Sequence, residues 1–113
     1  MSHFVKISTE GTAAEEGAPA PDRVIEGRPR HRTWNIEDRS GLYAGIWEST
    51  PGKWAVAYDE WEYCRILSGR SVVAEKGGAA HAIGPGDSFV IRPGFRGTWE
   101  VLETTRKEYV ILL

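Results

Sequence analysis

At 113 residues the chain has room for one domain and no second independent core. Its 41% apolar and 27% charged residues are those of a globular chain, which excludes a disordered one. A formal net charge of −2 excludes the strongly basic surface that a phosphate backbone requires, and the single cysteine, Cys64, excludes an intrachain disulfide, a thiolate metal cage and a CxxC redox pair.

In chain order, the opening MSHFVKISTEGTAAEE has no continuous apolar stretch of the export-signal kind. Nowhere does the sequence approach the roughly eighteen apolar residues of a membrane span. The expectation is a cytoplasmic protein with neither membrane nor nucleic acid as partner. Phe4, Val5 and Ile7 suit either a short docked strand or a frayed terminus. Residues 8–22, STEGTAAEEGAPAPD, lack apolar periodicity and read as an extended arm. Residues 1–22 are therefore expected to form an arm and residues 23–113 the folded domain, without internal repeats.

From Leu42 onward short β-type runs follow one another: LYAGIWES, KWAVAYD, YCRILSG, RSVVAE, AHAIG, DSFVIR, TWEVLE and RKEYVILL. Pro51-Gly52, Ser68-Gly69, Gly77-Gly78, Gly84-Pro85-Gly86 and Pro93-Gly94 divide them as turns. No amphipathic helix intervenes, so the pattern predicts an all-β sandwich or barrel closed by antiparallel pairing. Period-two alternation then places Trp54, Tyr58, Glu62, Cys64, Trp99 and Tyr109 on inward faces, with Trp47 and Arg92 unassigned.

Glu62-Tyr63-Cys64-Arg65-Ile66-Leu67-Ser68-Gly69 fits the E-x6-G half of the first cupin motif, and Gly86-Asp87 followed by Phe89 to Gly94 resembles the start of the second. With GIWESTPGKWAVAY and RKEYVI, these segments resemble the small single-domain cupins grouped with the (S)-ureidoglycine aminohydrolase cupin domain, over about Arg23 to the C-terminus. The resemblance implies a cupin fold, the RmlC-like jelly roll or double-stranded β-helix barrel. It also implies a metal site of two His in H-x-H-x3-E and a third His after P-x-G. Counting from Glu62 puts Val56 and Tyr58 at the His pair, and counting from Gly94 puts Gly97 at the third His. Only the Glu remains, and one carboxylate does not make the three or four converging ligands a transition metal needs. The expectation is no cofactor, with Mn, Fe, Ni or Zn on Glu62, Tyr58 and His81 as the alternative. His81 reads as a loop histidine, and His3 and His31 as exposed.

A small barrel encloses one small ligand between apolar walls and a few polar groups. The expected pocket is Trp54, Tyr58, Glu62, Cys64, Arg92, Trp99 and Tyr109, with the Trp99 indole filling the space a metal would take. Glu62 is the candidate catalytic residue, its pKa raised by desolvation unless Arg92 or Lys107 pairs with it, or else it is a structural polar contact. Cys64 reads as an inert core thiol and Arg106-Lys107 as a solvated strand edge, with anion binding as the alternative. The leading expectation is a small-molecule-binding cupin that lacks the metal histidines. The rivals are a metal-dependent hydrolase or isomerase resembling ureidoglycine aminohydrolase, and a non-catalytic structural or sensor module. A homodimer is expected, with the Phe4 to Ile7 segment available for strand exchange.

Overall fold

The computed structural model describes residues 2–113. It holds nine strands and one single-turn 3-10 helix at Pro21–Arg23. The strands are β1 (Glu15–Gly17), β2 (Val24–Gly27), β3 (His31–Arg39), β4 (Leu42–Ser49), β5 (Gly52–Ala57), β6 (Trp61–Glu75), β7 (Ala80–Ile83), β8 (Ser88–Ile91) and β9 (Arg96–Leu112). Every pairing is antiparallel. Among the described residues no helix is long and apolar enough to cross a membrane.

Two long strands organise the molecule. β6 and β9 pair along their whole length, from Trp61 opposite Leu112 to Glu75 opposite Gly97. The C-terminal half of β9 pairs with β4, which pairs with β3 and then β1, while the N-terminal half of β6 carries β8. The N-terminal half of β9 pairs with β5 and then β2, while the C-terminal half of β6 carries β7. One sheet therefore folds over into two layers that share both long strands.

The fold line explains why YCRILSG and RSVVAE, and likewise TWEVLE and RKEYVILL, are single strands and not pairs separated by turns. The β6–β9 register slips between Ile66 and Ser71, and Gly69 adopts φ +88°. A Cβ there would collide with the Thr104 carbonyl, so this bulge takes glycine where a tight turn was expected. The corner is pinned by small hydroxyl side chains. Ser71 and Thr105 share a buried 2.7 Å hydrogen bond, and Thr105 Oγ1 donates to the Glu103 carbonyl at 2.9 Å.

At the N-terminus the structure favours one of the two readings. Phe4, Val5 and Ile7 form no strand, and Phe4 is 81% exposed. The segment that pairs is Glu15–Gly17, on β3 of its own chain. β3 escaped the sequence reading because HRTWNIEDR is mostly polar. On its outer side Trp34 is buried beneath the guanidinium groups of Arg32 and Arg106, 4.8 and 5.0 Å from its ring centre. Glu48 joins both arginines, at 3.5 and 2.9 Å.

Between the layers lies the core of Trp54, Val73, Ile91, Trp99 and Val101, with Trp47, Val56, Tyr58, Ile83, Phe89 and Phe95 packed against it. Large aromatic residues on facing strands fill such an interlayer space with few side chains.

Candidate functional site

Next to the core an open-mouthed cavity of about 520 Å³ runs between the layers. Its walls come from both layers: His31, Thr33 and Asn35 of β3, Tyr43 and Trp47 of β4, Trp54 and Val56 of β5, and Trp99, Lys107 and Tyr109 of β9. Glu62 and Tyr58 complete the inner end, and Glu15, Arg23 and Glu60 stand at the cavity as well. Parity along the strands produces this convergence, since residues two apart share a face.

A buried ion pair lies at the floor. The Lys107 ammonium donates to Glu62 Oε2 at 3.0 Å, with side chains only 6% and 5% exposed. Lys107 Nζ also lies 3.6 Å from Cys64 Sγ, and 4.7 and 4.4 Å from the ring centres of Trp47 and Trp99. The ammonium is thus held by one carboxylate, one thiol and two indole faces, a set that offsets much of the cost of burying a charge. Arg106, its neighbour in sequence, points outward to Glu48. The expected solvated Arg106-Lys107 edge is therefore wrong for Lys107, whose parity matches inward Tyr109.

The surroundings fix protonation states. Burial opposes charging of Lys107, but the Glu62 carboxylate against it outweighs that cost and holds the ammonium above the ordinary lysine range. Burial pushes the Tyr58 hydroxyl well above the ordinary tyrosine range and the Cys64 thiol up to about 12. Tyr109 is raised to about 12 by burial and then by the Glu62 charge, and its hydroxyl donates to Asn35 Oδ1 at 2.7 Å. Neither a thiolate nor a phenolate is present near neutral pH, so the floor offers donors and one carboxylate, and Cys64 is not a nucleophile.

Trp54, Tyr58, Glu62, Trp99 and Tyr109 line the cavity as their alternation implies. Cys64 shares their face but is fully buried behind Lys107 and does not line it. Arg92 is exposed and borders a separate depression of about 830 Å³ at the β7 and β8 edge, together with His81. The two expectations fail for different reasons. Arg92 follows inward Ile91 and faces out, and β7, with His81, pairs with the opposite half of β6 from Glu62.

His31, expected to be exposed, belongs to the cavity. Its ring lies 5.0 and 4.9 Å from those of Trp47 and Trp54, and its Nε2 is buried without a hydrogen-bond partner. Burial first, and the Lys107 charge second, lower its pKa to about 4. The unfolded chain, near 6.5, therefore takes up this proton before the folded one. The contribution is fully present above about pH 6.5, is lost as pH falls to about 4, and levels off below. Thermal unfolding across that window should show wild type losing stability faster than His31→Gln. Parallel profiles would show that the imidazole does not titrate across it.

The cupin metal does not fit this site. Among the described residues no three His, Cys, Asp or Glu side chains converge as ligands. The one carboxylate that matches the motif is already bound by Lys107 at 3.0 Å. At Gly97, the third-His position, a Cβ would strike the Ala74 carbonyl of the paired strand, so no side chain is accommodated there without backbone movement.

A rolled antiparallel sheet of this topology, with an interlayer cavity beside the E-x6-G strand, defines a cupin. Residues 37–109 match the EutQ-like cupin domain, and the chain belongs to that family. Among solved structures it resembles a protein of unknown function from Pseudomonas syringae pv. tomato, at TM-score 0.81 and 24% identity, covering 91% of this chain and 45% of that one. The chain thus spans about half the length of that relative. It also resembles a putative ethanolamine utilization protein Q from Salmonella typhimurium (TM-score 0.65, 18% identity, 73% of this chain and 68% of that one). A DUF861 family protein from Thermotoga maritima aligns at TM-score 0.55 and 25% identity, over 85% of this chain and 96% of that one. Among curated proteins none matches the sequence.

Proposed function

We propose that this cupin binds a small molecule in the aromatic cavity without a metal. The observation that carries the reading is the open cavity of about 520 Å³ lined by Trp47, Trp54 and Trp99, with the Lys107–Glu62 pair as its polar floor. That volume falls within the usual range for small-molecule sites, and apolar walls with a few placed polar groups are their usual construction. Trp47, Trp54 and Trp99 make the walls, so occupancy should change the intrinsic fluorescence.

The test is a screen of small aromatic fragments against chelator-treated full chain, read by tryptophan fluorescence and by thermal shift. Bound fragments should raise the melting temperature as mass action requires, and added divalent metal should leave their affinity unchanged. No binder at millimolar concentration, or binding only with metal present, would overturn the proposal. The quoted motifs favour a second reading, metal-dependent chemistry of the ureidoglycine aminohydrolase kind, and the donor set weighs against it. Binding only with metal present is the outcome that would favour it.

A further inference from the structure

We infer that the cavity selects an uncharged planar aryl or heteroaryl molecule bearing a carbonyl oxygen, and that the internally neutralised Lys107–Glu62 pair sets this choice. The inference rests on the binding reading above and adds the class of ligand. The charges at the cavity floor balance. Lys107 and Glu62 cancel at 3.0 Å, and His31, Tyr58 and Tyr109 of the lining, with Cys64 behind Lys107, are uncharged near neutral pH. Glu15 and Arg23 are exposed and Glu60 is half-buried at the cavity, and the Glu15 charge adds to the upward push on Tyr109, so screening by water and salt weakens these groups without removing them.

A floor of zero net charge does not repay the desolvation of an ion. A carboxylate entering this site must compete with Glu62 for an ammonium already held on four sides, and a cation entering it meets Lys107 at close range. Either ion leaves its hydration shell without a free counter-charge. A neutral ligand avoids that cost.

Two further atoms point to the ligand's polar group. Trp99 is 1% exposed and lines the cavity, and its indole Nε1 is buried with no acceptor. Indole nitrogen only donates, so it requires an acceptor such as a carbonyl oxygen. His31 Nε2 is also buried and unpartnered, and as a neutral imidazole it accepts either role. Buried polar atoms left unpaired cost stability, so an occupant that reaches these two atoms of cavity-lining residues gains by supplying their partners. The tilted rings of Trp47 and Trp54 on either side of His31 supply flat apolar surface for a planar body.

The experiment uses three probes of nearly one shape, benzamide, benzoate and benzylamine, titrated near neutral pH into the full chain by calorimetry. Wild type should bind benzamide about tenfold or more tightly than either ion, the scale of one charge-assisted hydrogen bond. Glu62→Gln should shift the preference to benzoate and Lys107→Met to benzylamine. The double variant, neutral again, should return it to benzamide, and it serves as the folded control if a single variant fails to fold. Trp99→Phe should weaken benzamide severalfold, and unchanged affinity there would overturn the carbonyl assignment. Wild type preferring an ion would overturn the inference and leave cavity binding standing. Binding of none of the three, with no fragment bound either, would overturn the binding reading itself.

Discussion

Lys107→Met is expected to be among the most damaging single changes in the protein, lowering stability by about 3 to 5 kcal/mol. The reason is not the loss of an attractive contact but the residue left behind. With the ammonium gone, the Glu62 carboxylate remains buried at 5% side-chain exposure with no counter-charge. Methionine keeps most of the volume and contact with the two indoles, so packing loss is a minor part of the effect. For a domain of this size such a loss corresponds to a fall of roughly 15 °C or more in melting temperature. The double variant Glu62→Gln/Lys107→Met removes both charges and should recover most of the difference, because a neutral replacement of a buried pair is often close to neutral in energy. Urea unfolding of the three variants checks this. A single variant within about 1 kcal/mol of wild type would mean that the pair is solvated and not buried.

Trp99→Ala should be comparably damaging, for a different reason. The indole is 1% exposed, and Trp99 sits opposite Trp54 on β5 and Val73 on β6, in the middle of its layer and within the aromatic core. Truncating a large buried aromatic costs about 3 to 5 kcal/mol, part from lost transfer energy and part from the void left in a framework that does not collapse. The change also strips one of the two aromatic faces from the Lys107 ammonium. Denaturant midpoints should fall with little change in slope. A loss below about 1.5 kcal/mol would show that neighbouring side chains close the gap.

How far these features are readable without coordinates differs from residue to residue. Alternation along Glu62, Cys64 and Ile66 is unambiguous because apolar neighbours flank the carboxylate, and the same rule finds Trp54, Trp99 and Tyr109. Lys107 is reachable by that rule too, since it stands two residues before Tyr109. The exposed character of Arg106 and the rarity of buried lysines conceal it. His31 carries no local signal. Its position depends on β3 pairing with β4, His31 opposite Ser49, and β3 has no apolar alternation to announce a strand. Arg92 misleads because it borders an inward isoleucine at a strand end, where one step of register reverses the side chain. The long strands were hidden by Ser68-Gly69, which has turn chemistry but acts as a bulge inside β6.

The way β6 and β9 are shared between the layers also bears on how the chain reaches this structure. Glu62 and Lys107 belong to strands that meet only when the last strand folds back across the molecule, so neither layer is complete, and no buried pair exists, until that distant closure occurs. Assembly is governed by non-local pairing, which places folding in the slow regime of milliseconds to seconds typical of such topologies. Until closure, the unpaired carboxylate strand and its apolar neighbours face water. This is the interval in which association with other unfinished chains competes with productive folding.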